Sequence, residues 1–362
     1  MSADHEPAAA APPPAERSRS TRPPSMVDVA RAAQVSQKTV SRVVNREPNV
    51  SPEVRTRVLE AIASLGFRPN SAARALVTNR TRTIGMVSIG SSLLGPASIV
   101  DGVEKAARGA GYSLTLVRTA SGGADDIGAA MDALVAQGVE AIVISEPADS
   151  LQRIGHSVPG IPVLAVEHRE NEDDDWILVG ADTWGGARSA TEHLLGLGHR
   201  TVWHVAGPDG WGTSENRVDG WRAALLESGC AVPDVVRGDW TASSGYEIGL
   251  SLATRDDLTA VFAANDDMAV GLIHAFERSG LSVPDDVSVV GFDDIGTAGF
   301  LHTPLTTVRQ DFAEIARQGM RRLIAAIEGR HVGSRQASVP VQLIIRESTA
   351  RANPRRRTLT GL

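Results

Sequence analysis

The sequence predicts a small all-α unit at the N-terminus, followed by an α/β core of two similar lobes. Three observations carry this. Between Val27 and Leu65, apolar residues recur at helical spacing in three short runs separated by polar turns. From Thr83 onward, apolar strand-like runs alternate with amphipathic stretches of roughly 10 to 15 residues, the pattern of parallel sheets with right-handed crossovers, and the alternation comes in two sets. Charge divides along the same boundary. Between Arg22 and Arg82 eleven Lys and Arg stand against four acidic residues, a charge of +7, which leaves −14 on the rest of a 362-residue chain whose total is −7.

In the first run, Val27, Val29, Ala30 and Ala33 give one helix an apolar face. Gln34-Val35-Ser36 interrupts it. Ser36 is a good N-cap for a second helix from Gln37 to about Val44, with Val40, Val43 and Val44 inward. Two helices across a three-residue turn have the form of a helix-turn-helix, whose second helix lies in the DNA major groove. Its leading residues here are Gln37, Lys38, Thr39, Ser41 and Arg42. All carry hydrogen-bonding side chains, and Lys and Arg suit guanine N7 and O6. A plain helical hairpin with a solvated polar face has the same periodicity, but the basic charge of this segment on an acidic body favours contact with phosphate. After a loop at Arg46–Val50, Ser51 caps a third helix with Pro52 at its first position. Val54, Val58, Ile62 and Leu65 form its stripe and Gly66 ends it. A helix at Ser71–Val77 is too short to persist alone and needs a partner; a flexible linker is the alternative.

In the core, strands are expected at 83–89, YSLTLV, 139–145 and 162–167, with helices at 97–111 and 125–137 between the first three. A second set follows: helix 183–197, TVWHVAG, helix 214–228, VVRG, helix 243–254, TAVFAAN, helix 266–279 and VSVVGFD. A helix at Phe312–Ile327 and one strand, VPVQLIIRES, complete it. Ligands of open α/β sheets bind outside the carboxyl ends of strands. That rule selects Ser88-Ile89-Gly90, Glu167, Gly207, Asn265-Asp266 and Asp293-Asp294. Asp266 is expected to cap its helix and Asp294 a turn; Asn265 and Asp293 have no evident local task.

Several classes are disfavoured. No run of about 18 apolar residues is present, so no membrane span is expected. The Ala/Pro/Ser-rich opening lacks the pattern of an export signal and is expected to be disordered, which points to the cytoplasm. Cys230 is the only cysteine, expected as a small buried apolar residue. The nine histidines do not cluster at metal spacing, and His193 and His199 are expected at the surface. There is no P-loop, and Gly90-Ser-Ser-Leu-Leu-Gly95 lacks the middle glycine of a dinucleotide loop. Neither an enzyme nor a cofactor is expected.

Several segments, in order, resemble one family: VDVARAAQVSQKTVSRVVN with VSPEVRTRV, then FRPNSAARAL, EHLLGLGHR, AGP with NRVDGW, GDW, ANDDMAVG, SVVGFDD and PLTTVRQDF. Over Met26 to Ser348 the chain resembles the LacI-type (LacI/GalR family) transcription regulators, and GDW, AND, FDD and PLTTVRQDF resemble its lactose-sensing branch. The resemblance implies a homodimer on a pseudo-palindromic double-stranded operator, with a periplasmic-binding-protein-like, sugar-sensing core. Asn45 would join the reading helix in touching DNA. Ser71–Val77 matches the hinge helix that folds on the operator, with Asn70 and Arg74 at the DNA and Leu76 wedged into the minor groove. In the core, Glu167, Arg217, Asn265, Asp293 and Gln310 match polar contacts to a sugar, Trp240 the indole on its apolar face, and Ile89, Leu93, Pro96, Ile99 and Phe312 the apolar wall. A helix-surface salt bridge is the plain alternative for Arg217, and a core residue for Trp240.

The resemblance divides the chain into a tail (1–24), a helix-turn-helix domain (25–70), a hinge (71–81), a sugar-binding and dimerisation core (82–349) and a polar tail (350–362). It implies a repressor of sugar-utilisation genes, released when a small sugar, a β-galactoside or related glycoside, enters the interlobe cleft. A corepressor-dependent regulator is the alternative. Three departures matter. Gln37-Lys38 implies a different operator, Glu167 replaces a shorter Asp, and the C-terminus has no leucine heptad, with Pro354 in the way, so a dimer is expected rather than a tetramer.

Overall fold

The computed structural model describes residues 22–45, 47–68, 75–76, 78–89, 93–119, 123–145, 159–166 and 176–353. The chain forms two compact units, Met1–Arg80 and Thr81–Leu362.

The first unit holds three helices: α1 (Met26–Ala32), α2 (Gln37–Val44) and α3 (Pro52–Leu65). Each begins at a serine. Ser25 and Asp28 form a reciprocal capping box, Ser36 Oγ accepts from Thr39 N at 3.1 Å, and Ser51 caps α3 ahead of Pro52. Gln34 adopts a left-handed φ of 52°, which makes the tight turn between α1 and α2, and Gly66 at φ 64° closes α3. Val29, Ala30, Ala33, Val40, Val43, Val58, Ala61 and Phe67 form one small core. Two expected core residues face outward. Val27 is 47% exposed, because it lies two residues, about 200°, round the helix from Val29. Leu65 is also exposed, and Ala61 takes the inward place on α3.

The second unit contains two six-stranded sheets. The first has the order β11-β5-β4-β3-β1-β2, all parallel, built from β1 (Thr83–Ile89), β2 (Ser113–Thr119), β3 (Ala141–Ser145), β4 (Val163–Ala165), β5 (Ile177–Ala181) and β11 (Gln336–Val339). The second has the order β12-β10-β9-β8-β6-β7, from β6 (Trp203–Ala206), β7 (Val236–Arg237), β8 (Ala260–Ala263), β9 (Ser288–Asp293), β10 (Thr306–Arg309) and β12 (Gln342–Ile344). Only β12 is antiparallel to its neighbour. The core helices are α4 (Leu94–Gly109), α5 (Ala124–Ala136), α6 (Thr183–Gly196), α7 (Gly212–Glu227), α8 (Ala242–Leu252), α9 (Asp266–Arg278) and α10 (Phe312–Ile327). Each sheet is sandwiched between two apolar clusters, as continuous β-branched strands such as AIVIS require.

The chain passes between lobes three times: from β5 to α6, from β10 to α10, and from β11 to β12. Thus α10 follows a strand of the second sheet but packs against α4 in the first lobe, through Ile315, Ala316, Met320 and Leu323. The strand expected over VPVQLIIRES forms only at Gln342–Ile344, as β12; β11 ends at Val339, and Pro340, whose missing N–H cannot serve a ladder, separates the two. β5, β10 and all but the last residue of β11 escape the sequence reading; these strands are short, of five, four and four residues. His199 is buried rather than at the surface, and His193 is half-buried. His199 is buried against Thr259 Oγ1 (3.1 Å), Ser288 Oγ and Ala350 O (both 3.2 Å), and His193 Nε2 lies 3.0 Å from Thr349 Oγ1, so both rings hold the C-terminal segment to the second lobe. Cys230 is only partly buried, at the edge of that lobe's core.

Candidate ligand cleft and DNA-reading helix

On α2, Gln37 and Lys38 are exposed in the first turn, and Thr39, Ser41 and Arg42 are partly exposed further along the helix. Their local bonds are light. Thr39 Oγ1 lies 2.9 Å from Ser36 Oγ, Asn45 Nδ2 donates to Ser41 Oγ at 3.4 Å, and Arg42 Nε lies 3.5 Å from Glu47 Oε2. An exposed pair of that kind contributes little and is easily exchanged for another acceptor. Leu76 is 89% exposed, a large apolar side chain open to solvent among the described residues. Asn70 and Arg74 lie outside the described residues.

Between the lobes of the core lies a cavity of about 150 Å³. Two of the three crossovers line it, at Gly180–Thr183 and at Gln310 and Phe312. Strand ends supply Ser145, Val166, Asn265 and Asp293, and the start of α4 supplies Leu93, Gly95, Pro96 and Ile99. The walls therefore come from the carboxyl ends of both sheets, where open α/β folds place their ligands.

The polar groups converge. Arg217, in the second turn of α7, is 5% exposed. Its guanidinium donates to Ala264 O, lies 3.6 Å from Asp293 Oδ1 and sits 4.0 Å from the Phe292 ring centroid. Burial pulls its pKa down, and the carboxylates of Asp293 and Asp266 pull it back up. Gln310 Nε2 donates to Asp293 Oδ1 at 2.6 Å. Burial lifts Asp293 to about 6, because desolvation outweighs the pull of Arg217 and the Gln310 hydrogen bond, so it is mostly ionised at neutral pH. Asp293 takes φ 111°, a conformation that aims it off the end of β9.

Asn265 does what the sequence assigned to Asp266. It is the N-cap of α9, accepting from Met268 N at 3.0 Å, while its Nδ2 donates to Trp240 O at 2.9 Å. That leaves one amide hydrogen and one lone pair for a ligand. Asp266 turns inward instead. Thr307 Oγ1 and Ile295 N donate to it at 2.5 and 2.8 Å, and burial raises its pKa to about 8. Asp294 also has a task beyond capping a turn: it receives Arg309 and Arg346, both at 2.6 Å.

Trp240 forms a buried wall of the cavity at φ 74°. Gly207 makes the space, since a Cβ there would lie 2.2 Å from the indole. Trp211 faces it edge-on, with centroids 5.6 Å apart and planes at 61°. Thus nine of the expected residues share one cavity: Leu93, Pro96, Ile99, Arg217, Trp240, Asn265, Asp293, Gln310 and Phe312. Ile89 ends β1, with its side chain outside the described residues, and Glu167 also lies outside them. Arg217 bonds across strands rather than along its helix surface. Sequence reasoning missed Ser145, Thr183 and Trp211. A tryptophan in a Pro-Gly loop after a strand was the signal available for the last.

Residues 25–70 match the family of bacterial regulatory proteins, lacI family, and residues 191–349 match a periplasmic binding protein-like domain. The lactose operon repressor of Escherichia coli strain K12 is 32% identical over 335 residues, covering 92% of each chain. The chain belongs to the LacI family. The HTH-type transcriptional repressor PurR of Haemophilus influenzae is 33% identical over 330 residues, 89% of this chain and 97% of that one. Among solved structures, the lac repressor dimer bound to operator and an anti-inducer superposes with a TM-score of 0.83 at 30% identity, covering 91% of this chain and all of that one. The LacI-family fold accounts for both units: a helix-turn-helix head and a two-lobed core. Among the described residues no helix is long and apolar enough to cross a membrane, and no group of three His, Cys, Asp or Glu side chains is placed to hold a metal.

Proposed function

We propose that this LacI-family chain is a cytoplasmic homodimeric repressor of sugar-utilisation genes, and that a small sugar in the interlobe cleft weakens its hold on a pseudo-palindromic operator. The observation that carries the sugar reading is the cleft's donor set. A paired guanidinium and carboxylate, two amides and an indole wall surround one cavity, which is what a ring of hydroxyls with one apolar face requires. Gln37, Lys38, Thr39, Ser41, Arg42 and Asn45 read or position the major groove, and Leu76 enters the minor groove at the hinge with Asn70 and Arg74 beside it. The sugar acts only through its differential affinity for the two states of the core, typically about 1–3 kcal/mol of coupling.

The test is a gel shift with DNA from upstream of its own gene, in the presence of galactosides and glucosides. Weakening of the complex by one of them is the expected result. The similarity to a purine repressor gives the competing outcome, binding strengthened by ligand. If no sugar alters the complex, the proposal fails.

A further inference from the structure

We propose that Trp211 is a second ring-binding plate in the cleft, so that the effector is a glycoside of two rings, a disaccharide or an aryl glycoside, rather than a single sugar. This rests on the sugar reading of the same cavity. Trp211 and Trp240 both line it, 5.6 Å apart at 61°. A pyranose offers one flat C–H face to one aromatic plate. Two plates inclined this steeply cannot both lie flat on one ring, whereas two rings twisted about a glycosidic bond can meet one each. Trp240 is buried and Trp211 half-buried, so the pair steps from the interior toward solvent, as a ligand extending outward needs.

The start of α7 supports the same assignment. Trp211 is its N-cap residue and makes no capping bond. The other helices of the second lobe begin with Asp182, Thr241 and Asn265, each accepting an amide of its first turn. α7 gives up that stabilisation to place an indole at the cavity. The first lobe repeats the choice at α4, whose N-cap Leu93 also makes no capping bond and lines the same cavity. An aromatic needed only for packing would be expected deeper in the second-lobe core, on whose margin Trp211 rests.

The test is calorimetric titration of the full chain with glucose, galactose, cellobiose, lactose and the 4-nitrophenyl β-glycosides of both monosaccharides. At least one two-ring ligand should bind tenfold or more tightly than its parent monosaccharide, and the comparison of cellobiose and lactose with the nitrophenyl glycosides shows whether the second ring is a sugar or an aryl group. Trp211→Ala should remove that advantage, weakening the two-ring ligand far more than the monosaccharide, and Trp211→Phe should restore most of it. Trp211→Leu keeps the apolar contact with the core but removes the plate, so it should behave as the alanine variant does even where alanine impairs folding. Equal losses for one-ring and two-ring ligands, or none, overturn the proposal while leaving the sugar reading standing. If no sugar binds the wild-type chain, both fall.

Discussion

Lys38 and Arg42 on α2 stand in or near solvent, whereas Arg217 and Asp293 in the cleft are almost wholly enclosed. The head keeps its charges hydrated and lightly paired, so that phosphate and base edges can replace water at little loss. The cleft has already desolvated its charges during folding and satisfied them with one another. A ligand there gains from preorganised groups but must fit around an existing network. On the proposed function, the same residue types would serve an open surface that reads by contact and a closed site that responds by rearrangement.

The largest effect should come from opening the closed side of this contrast. Arg217→Ala leaves Asp293 buried without its counter-charge, and should destabilise the core by about 3–5 kcal/mol in urea denaturation. A change below about 1 kcal/mol would mean that water already reaches the pair. Next comes Asp266. Folding raises its pKa from 3.8 to about 8, so between those values the folded chain holds a proton that the unfolded chain has lost. Core stability should therefore fall as pH rises from 5 toward 8.5, and Asp266→Asn, which keeps an oxygen for Thr307, should flatten that slope. An unchanged slope would assign it to other groups.

On the open side, Arg42→Ala should weaken specific DNA binding by about 1–3 kcal/mol and leave ligand binding intact. Equal loss on unrelated DNA would show that Arg42 only positions. Ser36→Ala should do least, lowering the thermal stability of the N-terminal unit by about 1 kcal/mol through loss of the α2 cap. A loss of specificity far larger than that would mean that Ser36 itself touches DNA.

The two regions also differ in how legible they were. The head is written locally: Ser36, Ser51, Pro52 and Gly66 mark their helix ends within a few residues, and α2 and α3 fall where those marks place them. Its misreadings, Val27 and Leu65, are outward residues on correctly placed helices. The cleft is assembled from segments between Leu93 and Ile315, and its placement came largely from family resemblance. Local chemistry misled at Asn265 and Asp266. Both are good caps, and only the partners Thr307 and Ile295, which the fold brings from elsewhere, decide which one turns inward. Trp211 carried only a weak signal, its loop after a strand, since nothing near it in sequence shows that Trp240 stands opposite.

The link between the two regions is tested most directly by fluorescence anisotropy of the full chain on its upstream DNA, titrated with the best-binding sugar, in wild type and Asp293→Asn. Asn tolerates the positive φ at this position and keeps an oxygen for Gln310, but it removes the counter-charge of Arg217, so urea denaturation run alongside checks that the variant is folded under the assay conditions. The sugar should weaken the wild-type complex by roughly 5- to 150-fold. The variant should bind the same DNA equally well and ignore the sugar. A variant that still responds fully, or a wild-type complex that no sugar weakens, would contradict control of the head from this cleft.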